Sequence, residues 1–368
     1  MSTTTPSPTH GLSTPQGVWL VAEREIGSKL RSKAFVISTA ILFIGALALV
    51  IWGGFQAASS SGTPVAVTTD ATQYVADAQG LDVTEVADRA AAESLVESGD
   101  VDAAVVADSS SPLGFTVLAD SSPPTQLLLT LAQVPPVELL NPDEVNAALG
   151  YIAAIGFGIV FLLAASLFGG TIAQSVVEEK QTRVVELLIS AIPVRVLLAG
   201  KVIGNTILAM AQILILASIA IIGLTITGQT ELLQGLGVPI AWFAVFFLFG
   251  FILLASLFAA AASMVSRQED IGATTTPLTM LIMAPYFLVI FFNDNPVVLG
   301  VMSYVPFSAP VGMPMRLFLG EAQWWEPLVS LVILVATCVA AILVGARIYR
   351  NSLLRMGARV KLSEALNG

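Results

Sequence analysis

Five charges crowd into eleven positions at EEKQTRVVELL, residues 178–188: Glu178, Glu179, Lys180, Arg183 and Glu186. Placed on a helix, Glu179 and Arg183 form an i,i+4 pair in the favourable order, and Arg183 and Glu186 stand three apart. Val184, Val185 and Leu188 make the complementary apolar face. A solvated loop is the plain account of such a stretch. Acidic residues, however, contribute little to membrane topology, so mixed charge on one face predicts a docking surface for another protein. A second group, Asn205, Thr206 and Gln212, carries neutral oxygens, with Asn205 and Gln212 seven residues apart and therefore on one helical face. That placement suits contact with a transported ligand or hydrogen-bonded glue between helices.

Other chemistries lack their parts. The single cysteine, Cys338, rules out an internal disulfide, and with the lone His10 it leaves nothing to build a zinc site. AGKVIGN contains Gly-Lys, but Arg195 stands where a G-x-x-x-x-G-K phosphate loop has its first glycine. The phosphate cradle depends on that glycine-rich backbone, so the chain is expected to bind no ATP itself. The acidic stretch ESGDVDAAVVAD lacks the spacing of a calcium loop and is expected to be solvated surface. The long apolar stretches hold no Asp, Glu or His at mid-depth, which argues against intramembrane catalysis. No catalytic, cofactor-binding or metal-binding residue is assigned.

The stretches that must position these residues are strongly apolar. Of 368 residues, 55% are hydrophobic and 11% charged, against about 25% charged in a soluble domain. The pattern predicts an α-helical polytopic membrane protein with six transmembrane helices: Ala34–Gly54, Leu149–Ala173, Val202–Ile226, Ile240–Val265, Pro277–Phe292 and Leu328–Ile348. A span needs about 20 apolar residues, so Pro277–Phe292 is short and is expected to borrow Gly272–Thr276. Fourteen of the sixteen Lys and Arg residues fall on one side of these spans, leaving Arg89 and Arg316 on the other. The positive-inside rule then puts both termini in the cytoplasm. The net charge of −10 averages acidic outer and basic inner segments, and nothing in it points to a nucleic-acid partner. The first span exceeds a signal-peptide core in length and reads as an uncleaved anchor.

Between the spans the chain divides further. Residues 1–16, rich in Ser, Thr and Pro, read as a disordered leader. In residues 17–33, Val18, Ala22, Ile26 and Leu30 recur every four positions among Arg24, Lys29, Arg31 and Lys33, which predicts an amphipathic basic helix lying on the inner membrane surface. Residues 55–146 depart most from the membrane pattern, with fourteen acids from Asp70 to Glu144 against Arg89. There TPVAV, DAAVVA and GFTVLA read as strands, and VTEVADRAAAESLVES and TQLLLTLAQ as helices. A small α/β extracytoplasmic domain between the first two spans follows. Residues 147–348 form the other five helices, with an inner loop at 174–198. Segment 294–327 is too apolar for a free loop and is broken by Pro296, Pro306, Pro310 and Pro314. It fits a re-entrant or interfacial hairpin, or an amphipathic lid, with Trp324 and Trp325 at headgroup level. Residues 349–368 form a basic cytoplasmic tail.

SVVEEKQTRVVELLISAIPVRVLLAGKVIG resembles the signature of ABC-2 type transporter permeases, and within them the NatB-like branch linked to sodium efflux. VPFSAPVGMPMRLFLGEAQWWEPLVS and the tail ARIYRNSLLRMGARVKLSEAL resemble the same branch, and the resemblance covers most of residues 17–366. It implies a permease subunit of an ATP-driven exporter in the plasma membrane. ATP would be held by a separate ABC ATPase subunit, NatA-like, docked on Glu178, Glu179, Lys180, Arg183 and Glu186. It also implies pairing with a second permease, identical or paralogous, within the membrane lipid. Sodium and a hydrophobic or amphipathic compound both stand as substrates. A membrane-anchored receptor or adhesin using the acidic outer domain is the competing class.

Overall fold

The computed structural model describes residues 13–59, 62–76, 78, 80–120, 124–131, 147–226, 230–355 and 360–367. Contacts divide the chain into two units, Met1–Leu47 with Asp143–Thr225 and Gln229–Gly368, and Ala48–Pro142 with Ile226–Gly228. Most of the predicted leader therefore lies outside the described residues. Helix α1 (Thr14–Arg31) opens where the Ser13 amide donates to Gln16 Oε1 at 3.1 Å, with Pro15 in its first turn. Helix α2 (Lys33–Ser59) follows at once. Its apolar window is only 6% buried, so Ile41, Ile44 and Leu49 face outward as a lipid-contacting helix requires.

The smaller unit is built on a four-stranded sheet in the order β2-β1-β3-β4. Strand β1 (Thr63–Thr68) pairs in parallel with β2 (Leu81–Val86) and with β3 (Ala103–Ala107), and β4 (Phe115–Leu118) runs antiparallel to β3. Alternation along β1 and β3 supplies both faces. Val65, Val67, Ala103 and Val105 pack with Ala71 and Leu127, while Ala66, Ala104 and Val106 pack with Ala92 and Val96 of α3 (Arg89–Ser98). Helix α4 (Thr125–Leu131) realises the described part of the TQLLLTLAQ prediction. The helix expected over VTEVADRAAAESLVES is wrong over its first six residues. Residues 81–86 are a strand because β1 offers them a parallel partner, Val65 against Val83. The helix starts only after Asp88, whose side chain accepts from the Ala91 amide.

The remaining helices are α5 (Ala147–Gln181), α6 (Val184–Ala191), α7 (Val194–Ile226), α8 (Thr230–Ser263), α9 (Ile271–Phe291), α10 (Pro296–Met302), α11 (Ala309–Phe318), α12 (Glu326–Ser352) and α13 (Leu362–Asn367). Among the described residues six helices are long and apolar enough to cross a membrane: Lys33–Trp52, Gly150–Gln181, Val194–Ile226, Gly235–Ser263, Gln268–Phe291 and Glu326–Ser352. Several sequence boundaries move; the second span, for example, runs on to Gln181 instead of ending at Ala173. The third span begins at Val194, directly after Pro193, rather than at Val202. The fifth span takes in Gly272–Thr276 as expected.

Helix α8 is the centre of the membrane unit. Its Phe243, Phe247 and Phe251 stand four apart and meet Phe157, Phe161 and Phe168 of α5, two of the contacts being edge-to-face. Small residues let other helices close in: a Cβ on Gly158 would fall inside the Tyr286 ring, and one on Gly169 would crowd Phe258. Segment 294–327 is mainly helical rather than irregular. Pro296 and Pro310 sit in the first turns of α10 and α11, where a helix does not need the missing amide. Nearly all of α11 is buried, while residues 294–297, Trp324 and Trp325 stay exposed.

Candidate coupling site

The charged stretch does not form one helix. Helix α5 ends at Gln181, and Arg183 adopts a left-handed backbone with φ 58°, unusual for a side-chain-bearing residue. The chain turns a corner there before α6 begins. The corner separates the five charges into two sets. Glu178, Arg183 and Glu186 are exposed, as are Val184 and, at 73%, Leu187. Glu179 and Lys180 point inward. The expected Glu179–Arg183 pair is not made, because Glu179 finds tertiary partners instead.

Those partners close a ring of four charges between α1, α5 and α7. Lys201 Nζ lies 2.8 Å from Glu25 and 2.9 Å from Glu179. Arg24 pairs with Glu179 and, at 3.3 Å, with Glu25. Lys201 also donates to Ser175 Oγ at 2.8 Å. Removing such charges from water is costly unless each meets an opposite charge, and in the alternating ring each does, although Glu179 Oε2 has the Lys201 ion pair without a hydrogen bond. Burial would raise the Glu25 pKa, but Lys201 and Arg24 outweigh it and hold the carboxyl below its ordinary value. Burial likewise opposes the Arg24 charge, and Glu179 and Glu25 outweigh it to raise the Arg24 pKa. Lys29, one turn along α1, is less well compensated: burial, helped by Lys201, brings its pKa down to about 8 despite Glu25.

Lys180 is anchored separately. Its ammonium donates to the carbonyls of Ser263 at 2.8 Å and Ser352 at 3.0 Å, tying the end of α5 to the ends of α8 and α12. Helix α1 reaches α7 through small residues. Gly200 faces Val21, and a Cβ on Gly204 would lie 2.8 Å from the Ala22 carbonyl. The buried face of α1 is Gly17, Val21, Ala22, Glu25 and Lys29, which shares only Ala22 with the expected Val18–Leu30 stripe; Ile26 is partly buried and Leu30 is exposed.

Asn205, Thr206 and Gln212 all lie buried on α7. The Asn205 amide donates to the Lys201 carbonyl and Thr206 to that of Val202, while Asn205 Oδ1 and Gln212 Oε1 meet no partner among the described residues. Two helical turns, about 10 Å of backbone rise, separate the two residues that carry those oxygens.

Sequence reasoning missed a second buried ion pair. Arg316 of α11 lies 2.7 Å from Glu326 at the start of α12 and donates to Ser303 Oγ at 3.1 Å and the Glu321 carbonyl at 3.1 Å. Ser330 completes the cluster by donating to the Ser303 carbonyl at 2.6 Å. The available signal was the isolation of Arg316 from the other basic residues, which suggested an unusual requirement for charge.

The chain is 29% identical over 227 residues to Uncharacterized protein YhaP of Bacillus subtilis, covering 58% of this chain and 54% of that protein. It is 26% identical over 214 residues to Uncharacterized protein MJ1024 of Methanocaldococcus jannaschii, covering 57% of this chain and 52% of the relative. The alignment thus spans about half the length of each curated relative. No solved structure matches. Residues 33–347, which hold all six long apolar helices nearly end to end, match ABC2_membrane_3, described as ABC-2 family transporter protein; the chain belongs to the ABC-2 transporter family.

Proposed function

We propose that this protein is the permease subunit of an ATP-driven exporter, coupled to a separate ABC ATPase through the corner between α5 and α6. The observation that carries the coupling reading is that corner itself. It presents Glu178, Arg183, Glu186 and Leu187 outward while Glu179 and Lys180 bind its root to α1, α7, α8 and α12. A push on the exposed corner is thereby transmitted to four helices. ATP belongs to the partner subunit, and a second permease completes the pathway. Both termini and the corner face the cytoplasm, and the sheet unit lies outside.

An apolar cavity of about 570 Å³ between α5, α7 and α8, walled by Phe157, Leu216, Ile221, Leu236 and Phe243, supports a hydrophobic or amphipathic cargo. Sodium, the cargo of the NatB-like branch, is the second reading, and the buried oxygens of Asn205 and Gln212 favour it only if broken helices or the second permease add ligands.

The test is co-expression with the ABC ATPases of its own genome. Glu178→Lys with Arg183→Glu and Glu186→Lys should leave insertion intact and reduce stimulated ATP hydrolysis by about tenfold or more, since like charges at a contact cost several kcal/mol. Glu179 is unsuitable for this test because its loss would break the internal ring. Unchanged co-purification and stimulation would reduce the corner to a solvated loop. ATP-driven uptake into everted vesicles, of sodium or of a hydrophobic dye, decides the cargo. Absence of ATP-driven uptake together with ligand capture by the sheet unit would favour the receptor reading.

A further inference from the structure

A cleft of about 810 Å³ runs between α7, α8 and α12, and its composition is sharply divided. One end carries Arg195 of α7 and Arg347 and Arg350 of α12. The walls are apolar, with Leu198, Val202, Ile203, Ile252, Ile342 and Leu343 prominent. No acidic residue lines it. Among the described residues the three arginines form no ion pair, whereas Arg24, Arg267, Arg316 and Arg355 each have a carboxylate. All three are exposed.

We infer that this cleft binds an anionic phospholipid, its phosphate on Arg195, Arg347 and Arg350 and an acyl chain along the walls. The charge is complementary: a planar guanidinium presents paired donors that match a phosphate, and three arginines from two helices line the one cleft. Basic residues that merely set topology flank spans without converging on one cleft. The dimensions agree as well. From Arg195 to Ile207 the α7 wall rises through twelve residues, about 18 Å at the helical rise, close to the roughly 15 Å of one leaflet of a 30 Å hydrocarbon core. The lining positions on α7 recur at three- and four-residue steps, so one continuous helix face is committed to the cleft. A second copy of the chain fits less well. A two-fold contact puts the same patch on both partners, which would bring six unpaired arginines together. The inference stands apart from the transport reading and does not depend on the cargo.

The test uses the full-length protein purified in detergent and titrated with fluorescently labelled phosphatidylglycerol and phosphatidylcholine. Phosphatidylglycerol should bind at least about tenfold more tightly, given three basic residues near one headgroup. The R195Q/R347Q/R350Q variant should lose that preference while eluting as the parent does. The corresponding triple lysine variant should keep only part of it, because the charge is retained but the paired guanidinium donors are lost. Val202→Trp should weaken both lipids by filling the acyl groove. Excess inorganic phosphate should not displace the lipid. Equal binding of the two lipids, or a preference that survives R195Q/R347Q/R350Q, would overturn the site. Displacement by phosphate would make it a free-anion site instead. Covalent dimers formed by L343C in a C338S background with a short bismaleimide would assign the cleft to a second copy.

Discussion

At the scale of single residues, the charges of this protein sort by whether a partner was found. Glu25, with Lys201 and Arg24 on it, keeps its charge despite burial. Lys29 is compensated incompletely and has its pKa brought down from an ordinary 10.5 to about 8. The unfolded chain then binds more protons than the folded one between those two values, so this group's contribution makes stability rise with pH across that window. Below pH 8 the protonated lysine opposes folding in full. Lys29→Met should therefore raise the melting temperature of the purified protein at pH 7, with the gain shrinking towards pH 10. A gain that stays constant across that range would show that packing, not charge, limits Lys29. Arg316 and Glu326 form the opposite case, a matched pair. Arg316→Ala should cost about 3–5 kcal/mol by leaving Glu326 buried and unpaired, while Arg316→Met with Glu326→Leu should cost much less. Thermal unfolding in detergent of the single and double variants separates the two outcomes.

At the scale of elements, the contact of α1 with α7 depends on two glycines that admit the facing backbone. A side chain at Gly204 would meet the Ala22 carbonyl at 2.8 Å and Glu25 Cβ at 3.1 Å, neither of which can swing aside. Gly204→Val should lift α1 from α7 and strip Lys201 of Glu25. Faster tryptic cleavage at Arg24 and Lys29, with the rest of the protein still folded, is the expected result. Cleavage at the parental rate would mean that α1 is held elsewhere. The same element shows why periodicity misjudged its face. Apolar spacing at Val18, Ala22, Ile26 and Leu30 favours a lipid-facing stripe, but the deepest burial belongs to Gly17, Val21, Ala22, Glu25 and Lys29. Small residues and paired charges carry no hydrophobic signal, although they are what a close helix contact requires.

At the scale of the whole molecule, the orientation proposed above rests on the distribution of Lys and Arg. In a C338S background, S110C in the sheet unit should react with an impermeant thiol reagent in intact cells, and S363C in α13 should react only after lysis. Labelling of S363C in sealed cells would invert the topology. The sequence by itself determined the six long apolar helices, because a membrane span is specified locally by about 20 apolar residues. It also determined β1, β3 and β4, whose β-branched runs stand between turn residues. The tertiary structure alone decided which charges face outward. Glu179 is joined to a residue 155 positions away and Lys201 to one 176 away, and no local spacing encodes such a pairing. The i,i+4 pair drawn for Glu179 was worth a few tenths of a kcal/mol in water, and a partly buried ring with Arg24, Glu25 and Lys201 displaced it. Likewise β2 became a strand because β1 lay beside it, since pairing with a neighbour outweighs intrinsic propensity.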